Sequence, residues 1–304
     1  MANEKRAGAP PIQGGRLIGV QIDTMRGFRT ILTYVALVLI ALTTVVPLVW
    51  MVFTSLHPPR AQVPTMSNLF TPVSWHPENY WTVLTYGELP VWKFAVNSFV
   101  VTAGVVVFQL ILCSLAAFGF SRLSWRGRDT LFFVFLLTMM IPAQVLIVPL
   151  FMLVHDLGWL DTYWGLIIPY PYLSTAFGTF LLRQFFITLP RSLDDAARID
   201  GCGELRLLWH VILPSAKPAL ATVAAFAFIW TWTDFYWPLL ATSSTQMRTL
   251  EVGLSIFKDS FSGSFQSWSL QMAAAVIVLL PVLIFFLAMQ RFFVRGVVLS
   301  GMKE

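Results

Sequence analysis

Six long apolar stretches, separated by polar connections, dominate the pattern of hydrophobic and polar positions along the chain. A helix needs about 20 apolar residues to cross the hydrocarbon core of a bilayer, and each stretch reaches that length. Five of them contain no Asp, Glu, Lys or Arg, and the remaining one contains only Asp234. The pattern predicts an all-α integral membrane fold with six transmembrane helices, at residues 31–53, 94–120, 131–154, 162–182, 219–240 and 269–289.

The composition fits a chain that lies largely out of water. Only 12% of the 304 residues are charged and 57% are hydrophobic, whereas soluble domains average about 25% charged residues. The two cysteines cannot form a disulfide framework. Cys113 lies in an apolar stretch and Cys202 in a polar connection, so both are interpreted as free thiols. The first apolar stretch is too long for the core of a cleavable signal peptide.

The positions of the positive charges predict the orientation of the chain. Connections on the cytoplasmic side of a membrane carry an excess of Lys and Arg. If both termini are cytoplasmic, the four cytoplasmic segments hold five, three, five and three of these residues, so 16 of the 20 lie inside. The net charge of +5 is therefore a topological signal, and nucleic acid is not predicted as a partner.

The apolar and polar segments divide the chain into three regions. Residues 1–30 are predicted to form a cytoplasmic tail, in which 16–29 can form a short helix on the bilayer surface. The transmembrane domain is predicted at 31–290, and 291–304 form a second cytoplasmic tail. The outer connection 54–93, rich in proline and aromatic residues, is either an ordered extracytoplasmic cap or part of an interfacial aromatic belt.

The cytoplasmic connection 183–218 has the pattern of a helix–turn–helix. Ser192, followed three residues later by Asp195, is a variant of the capping box. It predicts a helix that begins one residue after Ser192 and that Gly201 and Gly203 end.

A second short amphipathic helix, 204–213, is predicted to stop at Pro214. The small side chains of Ala196 and Ala197 allow another surface to approach the first helix closely. The connection is therefore predicted to be a docking element at the membrane surface.

The same connection resembles the signature of bacterial binding-protein-dependent ABC importer permeases, Glu-Ala-Ala-x3-Gly-x9-Ile-x-Leu-Pro. Asp replaces the Glu of that signature here and Val replaces the Ile, and an acidic residue before the glycine also fits the family. The matching positions are Asp195, Ala196, Ala197, Asp200, Gly201, Val211, Leu213 and Pro214.

The likeness extends over nearly the whole chain. Within the family, the chain is similar to the smaller permease subunit of maltose-type carbohydrate importers. That subfamily usually has Asn at the position of Thr233. The matching segments are 97–98, 116–123, 141–142, 232–235 with Pro238, 290–293 and 301–303.

The resemblance implies a type I ABC importer permease fold with cytoplasmic N- and C-termini. It implies a multi-pass protein of a bacterial or archaeal plasma membrane that forms half of the pathway for a sugar or oligosaccharide. Its partners would be a second permease in a heterodimer, two ATPase subunits and an extracytoplasmic solute-binding protein. ATP and Mg would be bound by the ATPases, and this chain would hold no catalytic residue, metal or cofactor. The sequence itself has no Gly-x4-Gly-Lys-Ser/Thr phosphate loop.

The resemblance also implies roles within the docking connection. Asp195 would anchor the N-terminus of the docking helix, Gly201 would make the turn, and Ala196 and Ala197 would pack on the ATPase. The end of the C-terminal tail, 299–304, would also contact the ATPases.

The fifth apolar stretch combines an acid with aromatic residues. Asp234 lies about 22 Å along a helix from Ala219, and an acid within a span usually faces the bundle interior or water. Sugars are held by hydrogen bonds from carboxylates and amides and by aromatic stacking. The alternative is an interfacial aromatic belt, with a structural partner for the acid and amides that tie helices together. The candidate pathway residues are Trp230, Trp232, Asp234, Tyr236, Trp237 and Asn97.

Other interpretations stay open. The docking connection can be an ordinary surface hairpin, and the chain can be a stand-alone channel or secondary carrier. Asp194, Asp195 and Asp200 resemble one acid cluster of Mg-dependent membrane transferases, although a second cluster is missing from the sequence. Among importers, the lack of Lys and Arg in the apolar stretches favours a neutral sugar over the alternative, a glycerol phosphate.

Overall fold

The computed structural model describes residues 15–59, 75–85, 91–261 and 267–301, and every regular element in these ranges is helical. The predicted all-α class is thus confirmed for this part of the chain. The remaining residues, which include 1–14 and 302–304 of the predicted tails and half of the predicted outer cap 54–93, lie outside the described ranges. The chain divides into two compact units, Met1–Phe53 and Thr54–Glu304, which are taken separately.

One long helix, α1 (Gly15–Ser55), accounts for the described part of the first unit. Its 41 residues extend about 60 Å at 1.5 Å per residue, and the part Arg29–Ser55 is long and apolar enough to cross a membrane. Residues 16–29, expected as a short surface helix, are helical, but they are continuous with the span instead of forming a helix of their own. Between Gly15 and Pro47 the sequence contains no proline, so no proline forces a break between 16–29 and the span.

The second unit contains a series of helices of very different length. They are α2 (Glu78–Leu84), α3 (Val91–Ser121), α4 (Arg128–Leu137), α5 (Ala143–Asp156), α6 (Tyr163–Ile167), α7 (Pro171–Thr188), α8 (Ser192–Ile199), α9 (Glu204–Leu207), α10 (Leu213–Ser215), α11 (Lys217–Trp232), α12 (Tyr236–Ala241), α13 (Leu250–Phe261) and α14 (Trp268–Gly301). A 3₁₀ turn, Thr138–Met140, follows α4, and a π-helical turn, Leu208–Ile212, joins α9 to α10.

Three single helices in the described ranges are long and apolar enough to cross a membrane: Arg29–Ser55 within α1, α3, and Trp268–Gln290 within α14. Two further pairs of helices pass the same test together but are sharply bent, which raises the number to five. The predicted spans 31–53, 94–120 and 269–289 therefore correspond to single helices. The other three predicted spans are bent or broken.

The predicted span 131–154 is two helices, α4 and α5, that meet at an angle of 95°. The cause lies at Pro142, because a residue that precedes proline is pushed out of the helical region. Ile141 accordingly has an extended ψ of 117°. Pro142 then serves as the residue before α5.

The predicted span 162–182 is split between α6 and α7, and α7 continues to Thr188. The sequence placed the end of this span before Arg183 because of its charge. The Arg183 side chain instead lies along the bundle, where Nε donates to the carbonyl of Phe120 at 3.1 Å and the guanidinium lies 4.2 Å from the ring of Phe132. A long cationic side chain that packs its stem in this way does not end a helix.

The predicted span 219–240 is interrupted at residues 233–235, between α11 and α12. Asp234 causes the restart, since its carboxylate Oδ1 accepts a hydrogen bond from the N–H of Tyr236 at 3.1 Å. An Asp side chain that binds a nearby backbone N–H competes with helix continuation.

The long helix α3 packs against α7 and α11 in the second unit. Gly178 on α7 permits this approach, because a Cβ there would lie 2.7 Å from Sγ of Cys113 on α3. Small residues at helix crossings serve this purpose in membrane proteins. At one end of this bundle, the buried residues Phe118, Phe186 and Leu208 form part of one apolar cluster, which joins α3 and α7 to the segment 192–215.

Candidate functional site

The connection that the sequence predicts as a helix–turn–helix is a helical hairpin of residues 192–215, called the hairpin below. Its first helix, α8, ends where Gly201 adopts a φ of +80°. The N–H of Gly201 donates to the carbonyl of Arg198 at 3.0 Å, and the N–H of Cys202 donates to the carbonyl of Ala197 at 2.9 Å. These are the two bonds of a Schellman motif, in which glycine avoids the steric cost of a left-handed backbone. The prediction that Gly201 ends the helix is confirmed.

The start of α8 differs from the prediction. The helix begins at Ser192, and no side chain caps its N-terminus, so the capping box with Asp195 does not form. Ser192 is itself in the first turn, because Arg191 already has helical φ and ψ angles and its carbonyl accepts from the N–H groups of Asp194 and Asp195. A residue already inside the helix is not placed to act as its N-cap.

Asp194, rather than Asp195, anchors the beginning of α8. Its carboxylate Oδ2 lies 3.0 Å from Nη1 of Arg122, a residue directly after α3, and the two side chains are only 4% and 1% exposed. Arg122 Nη2 also donates to the carbonyls of Phe186 at 2.6 Å and Leu189 at 3.0 Å, at the end of α7. One guanidinium therefore joins the end of α3, the end of α7 and the start of α8.

The buried ion pair has a second cation beside it. Arg191 lies 3.8 Å from the Asp194 carboxylate and donates to the carbonyls of Arg122 and Ser121. Burial lowers the pKa of Arg122, the Asp194 carboxylate acts in the opposite direction, and the charge of Arg191 lowers it further. The single negative charge of Asp194 thus faces two positive charges, those of Arg122 and Arg191, at the root of the hairpin.

The second half of the hairpin does not stop at Pro214 as predicted. Helical structure runs through α9, the π turn and α10 to Ser215. Proline lacks an N–H and clashes with the carbonyl four residues earlier in a regular α-helix, but the wider π turn directly before it changes that register. The chain bends after Ser215 instead, and the segment Glu204–Ser215 meets α11 at 85°.

The eight residues of the matched signature divide between two faces of the hairpin. Ala197 and Leu213 are buried in the bundle's own apolar cluster, and Val211 packs against it. The prediction that Ala197 packs on a partner is therefore wrong, because its side chain is used inside this chain. The exposed members are Asp195, Ala196, Asp200, Gly201 and Pro214.

The outer face of the hairpin also carries large apolar side chains that the sequence analysis did not single out. Ile199 is 86% exposed, Leu205 65% and Trp209 49%. Such residues are commonly buried against a partner when they cluster. The spacing along α8 could have predicted the exposure of Ile199, since at about 100° per residue it lies on the side of the helix away from Asp194 and Ala197.

The connection after α5 is tied to the connection after α12. Asp161 has a φ of +58°, and its Oδ1 accepts from the N–H groups of Ser243 and Ser244, each at 3.0 Å. Partial burial raises the pKa of Asp161, but the hydrogen bonds from Ser244 and Ser243 and the charge of Arg248 lower it more, so the net pKa is lowered. This network lies at the end of the bundle opposite the hairpin, beyond the far end of α11.

Asp234 of the candidate pathway is half-buried at the break between α11 and α12. Its Oδ2 accepts a hydrogen bond from the hydroxyl of Tyr170 at 2.8 Å, while Oδ1 accepts from the N–H of Tyr236. Both oxygens are thus engaged with neighbouring elements, which favours the structural alternative for this acid.

The other pathway candidates separate into buried and exposed residues. The indole N–H of Trp232 donates to the carbonyl of Val278, and that of Trp237 to the carbonyl of Gly165. Both indoles are buried, so they tie helices together. Trp230 is 44% exposed and Tyr236 68% exposed, and these two remain available to a ligand or a partner.

Asn97 is buried and fully used within the chain. Its Nδ2 donates to the carbonyls of Gln246 and Arg248, and its Oδ1 accepts from the hydroxyl of Tyr163. The amide joins α3 to the connection before α13, as the alternative interpretation of buried amides expects.

A family model described as "Binding-protein-dependent transport system inner membrane component" matches residues 109–299. This range contains the hairpin, α7, α11 and most of α14. The chain belongs to this family.

Curated members of the family cover most of the chain. It is 31% identical over 282 residues to the probable ABC transporter permease protein YurM of Bacillus subtilis, a match that covers 91% of this chain and 89% of YurM. It is 39% identical over 202 residues to the sn-glycerol-3-phosphate transport system permease protein UgpE of Yersinia enterocolitica, covering 66% of this chain and 71% of UgpE.

Solved structures of importers share the fold. A chain of a bacterial ABC transporter involved in the import of the acidic polysaccharide alginate matches with a TM-score of 0.72 and 26% identity, over 94% of this chain and all of that one. A second alginate transporter chain, from a complex with a pentasaccharide-bound periplasmic protein, has a TM-score of 0.62 at 13% identity and shows the fold alone. The fold of this family member is therefore that of an ABC importer permease.

The acid cluster of a transferase does not assemble on this permease. Asp194 is buried against Arg122, whereas Asp195 and Asp200 are exposed. In the described part of the chain, no three His, Cys, Asp or Glu side chains lie close enough together to hold a metal ion.

Proposed function

We propose that this chain is one of two permease subunits of an ATP-driven importer for a sugar or oligosaccharide. It would work in the plasma membrane of a bacterium or archaeon with a second permease, two ATPase subunits that bind ATP and Mg, and an extracytoplasmic solute-binding protein. The observation that carries the proposal is the hairpin: five of its eight signature residues and three large apolar side chains are exposed, while a buried ion pair fixes its root.

The proposed topology has six spans and both termini in the cytoplasm. The spans are α1, α3, the bent pair α4–α5, α7 with α6, α11 with α12, and α14. The distribution of positive charge supports this orientation, since it places 16 of the 20 Lys and Arg residues inside as membrane proteins generally do. The hairpin then lies on the same side as the ATPases.

The proposed ATPase contact is the exposed face of the hairpin. Asp195, Ala196, Asp200 and Gly201 line it, and the exposed Ile199 projects from the same helix. Ala196 leaves room for close approach, and Ile199 supplies apolar area that an interface buries. Val211, Leu213 and Pro214 support this face by shaping the second half of the hairpin.

Two adjacent alanines give a matched test of this contact. Ala196 is exposed and Ala197 is buried. A cysteine at 196 therefore points to the surface, whereas a cysteine at 197 points into the bundle. In a Cys202→Ser background, Ala196→Cys is expected to cross-link to an ATPase subunit with a short bifunctional thiol reagent. Ala197→Cys is expected to give no cross-link.

The same complex provides the wider test of function. The solubilised chain is expected to retain an ATPase and a second permease, and vesicles with the full complex should take up sugar only with ATP and the binding protein. Equal cross-linking of the Ala196→Cys and Ala197→Cys variants would contradict the proposal that the exposed face of the hairpin contacts the ATPase. Uptake without ATP would indicate a channel or a secondary carrier.

A specific observation favours a second substrate class, sn-glycerol-3-phosphate. The relative UgpE, 39% identical over 202 residues, is named for the transport of this compound. The six apolar stretches, however, contain no Lys or Arg to pair with a phosphate, which supports the sugar. Stabilisation of the cognate binding protein by a panel of maltose, trehalose, cellobiose and sn-glycerol-3-phosphate distinguishes the two classes.

A further inference from the structure

A cavity of about 400 Å³ lies between α13, α14 and the break that separates α11 from α12. Cavities that hold small ligands are typically about 300–1,000 Å³. One face of α13 and one face of α14 line it, at the i, i+3 and i+4 positions that share a helix face, and a ring from the break closes one side. The lining residues are Glu251, Leu254 and Ser255, then Trp268, Gln271 and Met272, and Phe235.

The cavity lies far from the hairpin. Phe235 follows the C-terminal end of α11, whose 16 residues place that end about 24 Å from the hairpin at 1.5 Å per residue. α14 begins at Trp268 beside the same end. In the proposed orientation, this is the extracytoplasmic half of the bundle, where a delivered substrate enters.

Three of the polar groups that line the cavity have no partner within the described part of the protein, whereas the Ser255 hydroxyl donates to the carbonyl of Val252. The carboxylate of Glu251 is half-buried there, yet it makes neither a hydrogen bond nor an ion pair with a described side chain. The amide of Gln271 and the indole N–H of Trp268 likewise have no hydrogen-bond partner among the described residues. All three residues are only partly buried, so their polar groups are free to bind water or a polar occupant of the cavity.

Burial raises the pKa of Glu251. No described cation contributes to that shift. An unpaired carboxylate of this kind repels an anion but accepts hydrogen bonds from hydroxyl groups.

We propose that this cavity is a subsite for a neutral sugar in the translocation pathway, an inference that rests on the proposed importer function. The Glu251 carboxylate accepts hydrogen bonds from two sugar hydroxyls, and the Gln271 amide both donates and accepts. The rings of Phe235 and Trp268 offer apolar faces for the C–H surface of the sugar ring. The negative charge of Glu251 selects against a phosphorylated substrate.

The test uses the complete importer in vesicles, with the binding protein and ATP supplied. The probe is whichever of maltose, trehalose and cellobiose most stabilises the binding protein, and it is compared with sn-glycerol-3-phosphate. Glu251→Gln is expected to lower the maximal uptake rate of the sugar about tenfold. The half-saturating concentration should hardly change, because the binding protein sets it. Gln271→Ala should have a similar effect.

Asp156→Asn is the matched control, since this exposed acid at the end of α5 lies outside the cavity. It is expected to transport at the wild-type rate. Glu251→Asp should restore part of the rate lost in Glu251→Gln, which a purely structural role would not require. Retention of the ATPase by each variant shows that it folds, and Gln271→Ala decides the matter if Glu251→Gln fails to assemble.

The outcomes separate the inference from the function on which it rests. If wild-type vesicles take up none of the three sugars with ATP, the proposed sugar import fails and this inference fails with it. If wild-type uptake is normal and both cavity variants match it, the subsite alone is overturned. Loss of uptake that is equal in Asp156→Asn would also overturn it, because the effect would not belong to the cavity.

Discussion

Replacing Asp194 with asparagine removes one charge from the root of the hairpin and leaves its shape almost unchanged. Arg122 would then remain buried at 1% exposure without a counter-ion, and the nearby charge of Arg191 would oppose it further. Its hydrogen bonds to the carbonyls of Phe186 and Leu189 do not supply the missing charge. The change therefore destabilises the attachment of α8 to the ends of α3 and α7.

The structure bounds the size of this effect. Breaking a buried ion pair by removing one partner costs about 3–5 kcal/mol. Asp194 Oδ1 already has no hydrogen-bond partner in the described part of the chain, and the asparagine amide leaves a polar atom in the same place, so nothing is regained there. The expected loss is therefore about 3–5 kcal/mol, which corresponds to an opening equilibrium about 140- to 3,700-fold larger at 1.4 kcal/mol per factor of ten.

Hydrogen exchange of the α8 amides in the assembled complex measures this opening directly, because local opening exposes those N–H groups. Glu204→Gln is the control, since it breaks an exposed ion pair of the same hairpin, Arg198–Glu204, at 2.9 Å. That pair is worth about 0–1 kcal/mol, so exchange should rise at most about fivefold. If Asp194→Asn exchanges no faster than Glu204→Gln, the buried pair does not hold the hairpin and the reasoning is refuted.

Three further predictions concern the turn, the opposite end of the bundle and the thiols. Gly201→Ala should reduce the stability of the turn after α8 by about 1–2 kcal/mol, because residue 201 has a left-handed backbone, and α8 amide exchange should rise accordingly. Gly203→Ala is the control, since Gly203 has a φ of −74°, and it should change α8 exchange little. Equal effects of the two variants would contradict the Schellman turn. Because the pKa of Asp161 is lowered in the fold, its contribution to stability is present above its unfolded pKa of about 3.8 and is lost as the pH falls below that value. Hydrogen exchange of the Ser243 and Ser244 amides should therefore rise in acid for the wild type. It should not rise for Asp161→Asn. Cys202 should react with an impermeant thiol reagent in inside-out vesicles only, and buried Cys113 in neither orientation; labelling of Cys202 from outside would reverse the topology.

Hydropathy was sufficient to place the apolar segments but not to describe how three of them cross the bilayer. The bend at Pro142 was open to prediction, because proline restricts the residue before it. The break at Asp234 was harder, since an acid in an apolar stretch can face water, pair with another helix or cap a new one. Only the contacts with Tyr170 and Tyr236 decide among these.

The hairpin shows the same limit at the scale of single residues. Its position, its turn at Gly201 and its likeness to a family signature were all readable from the sequence. The choice between Asp194 and Asp195 as anchor, and between Ala196 and Ala197 as the outward alanine, was not. Both choices depend on where Arg122 lies after α3, which is a tertiary contact between residues 72 positions apart.

Two physical connections link the hairpin to the rest of the bundle, and they differ in kind. The first is covalent, because the second half of the hairpin runs through a single bend into α11, whose far end lies beside the cavity of Glu251. The second is the guanidinium of Arg122, which attaches α8 to α3 and α7. A force on the exposed face of the hairpin would therefore still reach α11 if the ion pair were lost. Movement of α8 would no longer be transmitted to α3 and α7. We infer that Asp194→Asn separates ATP hydrolysis from uptake instead of abolishing both: ATPase activity should persist in the complex while the sugar carried per ATP falls. Loss of both activities in parallel would show that the hairpin needs the pair simply to bind the ATPase.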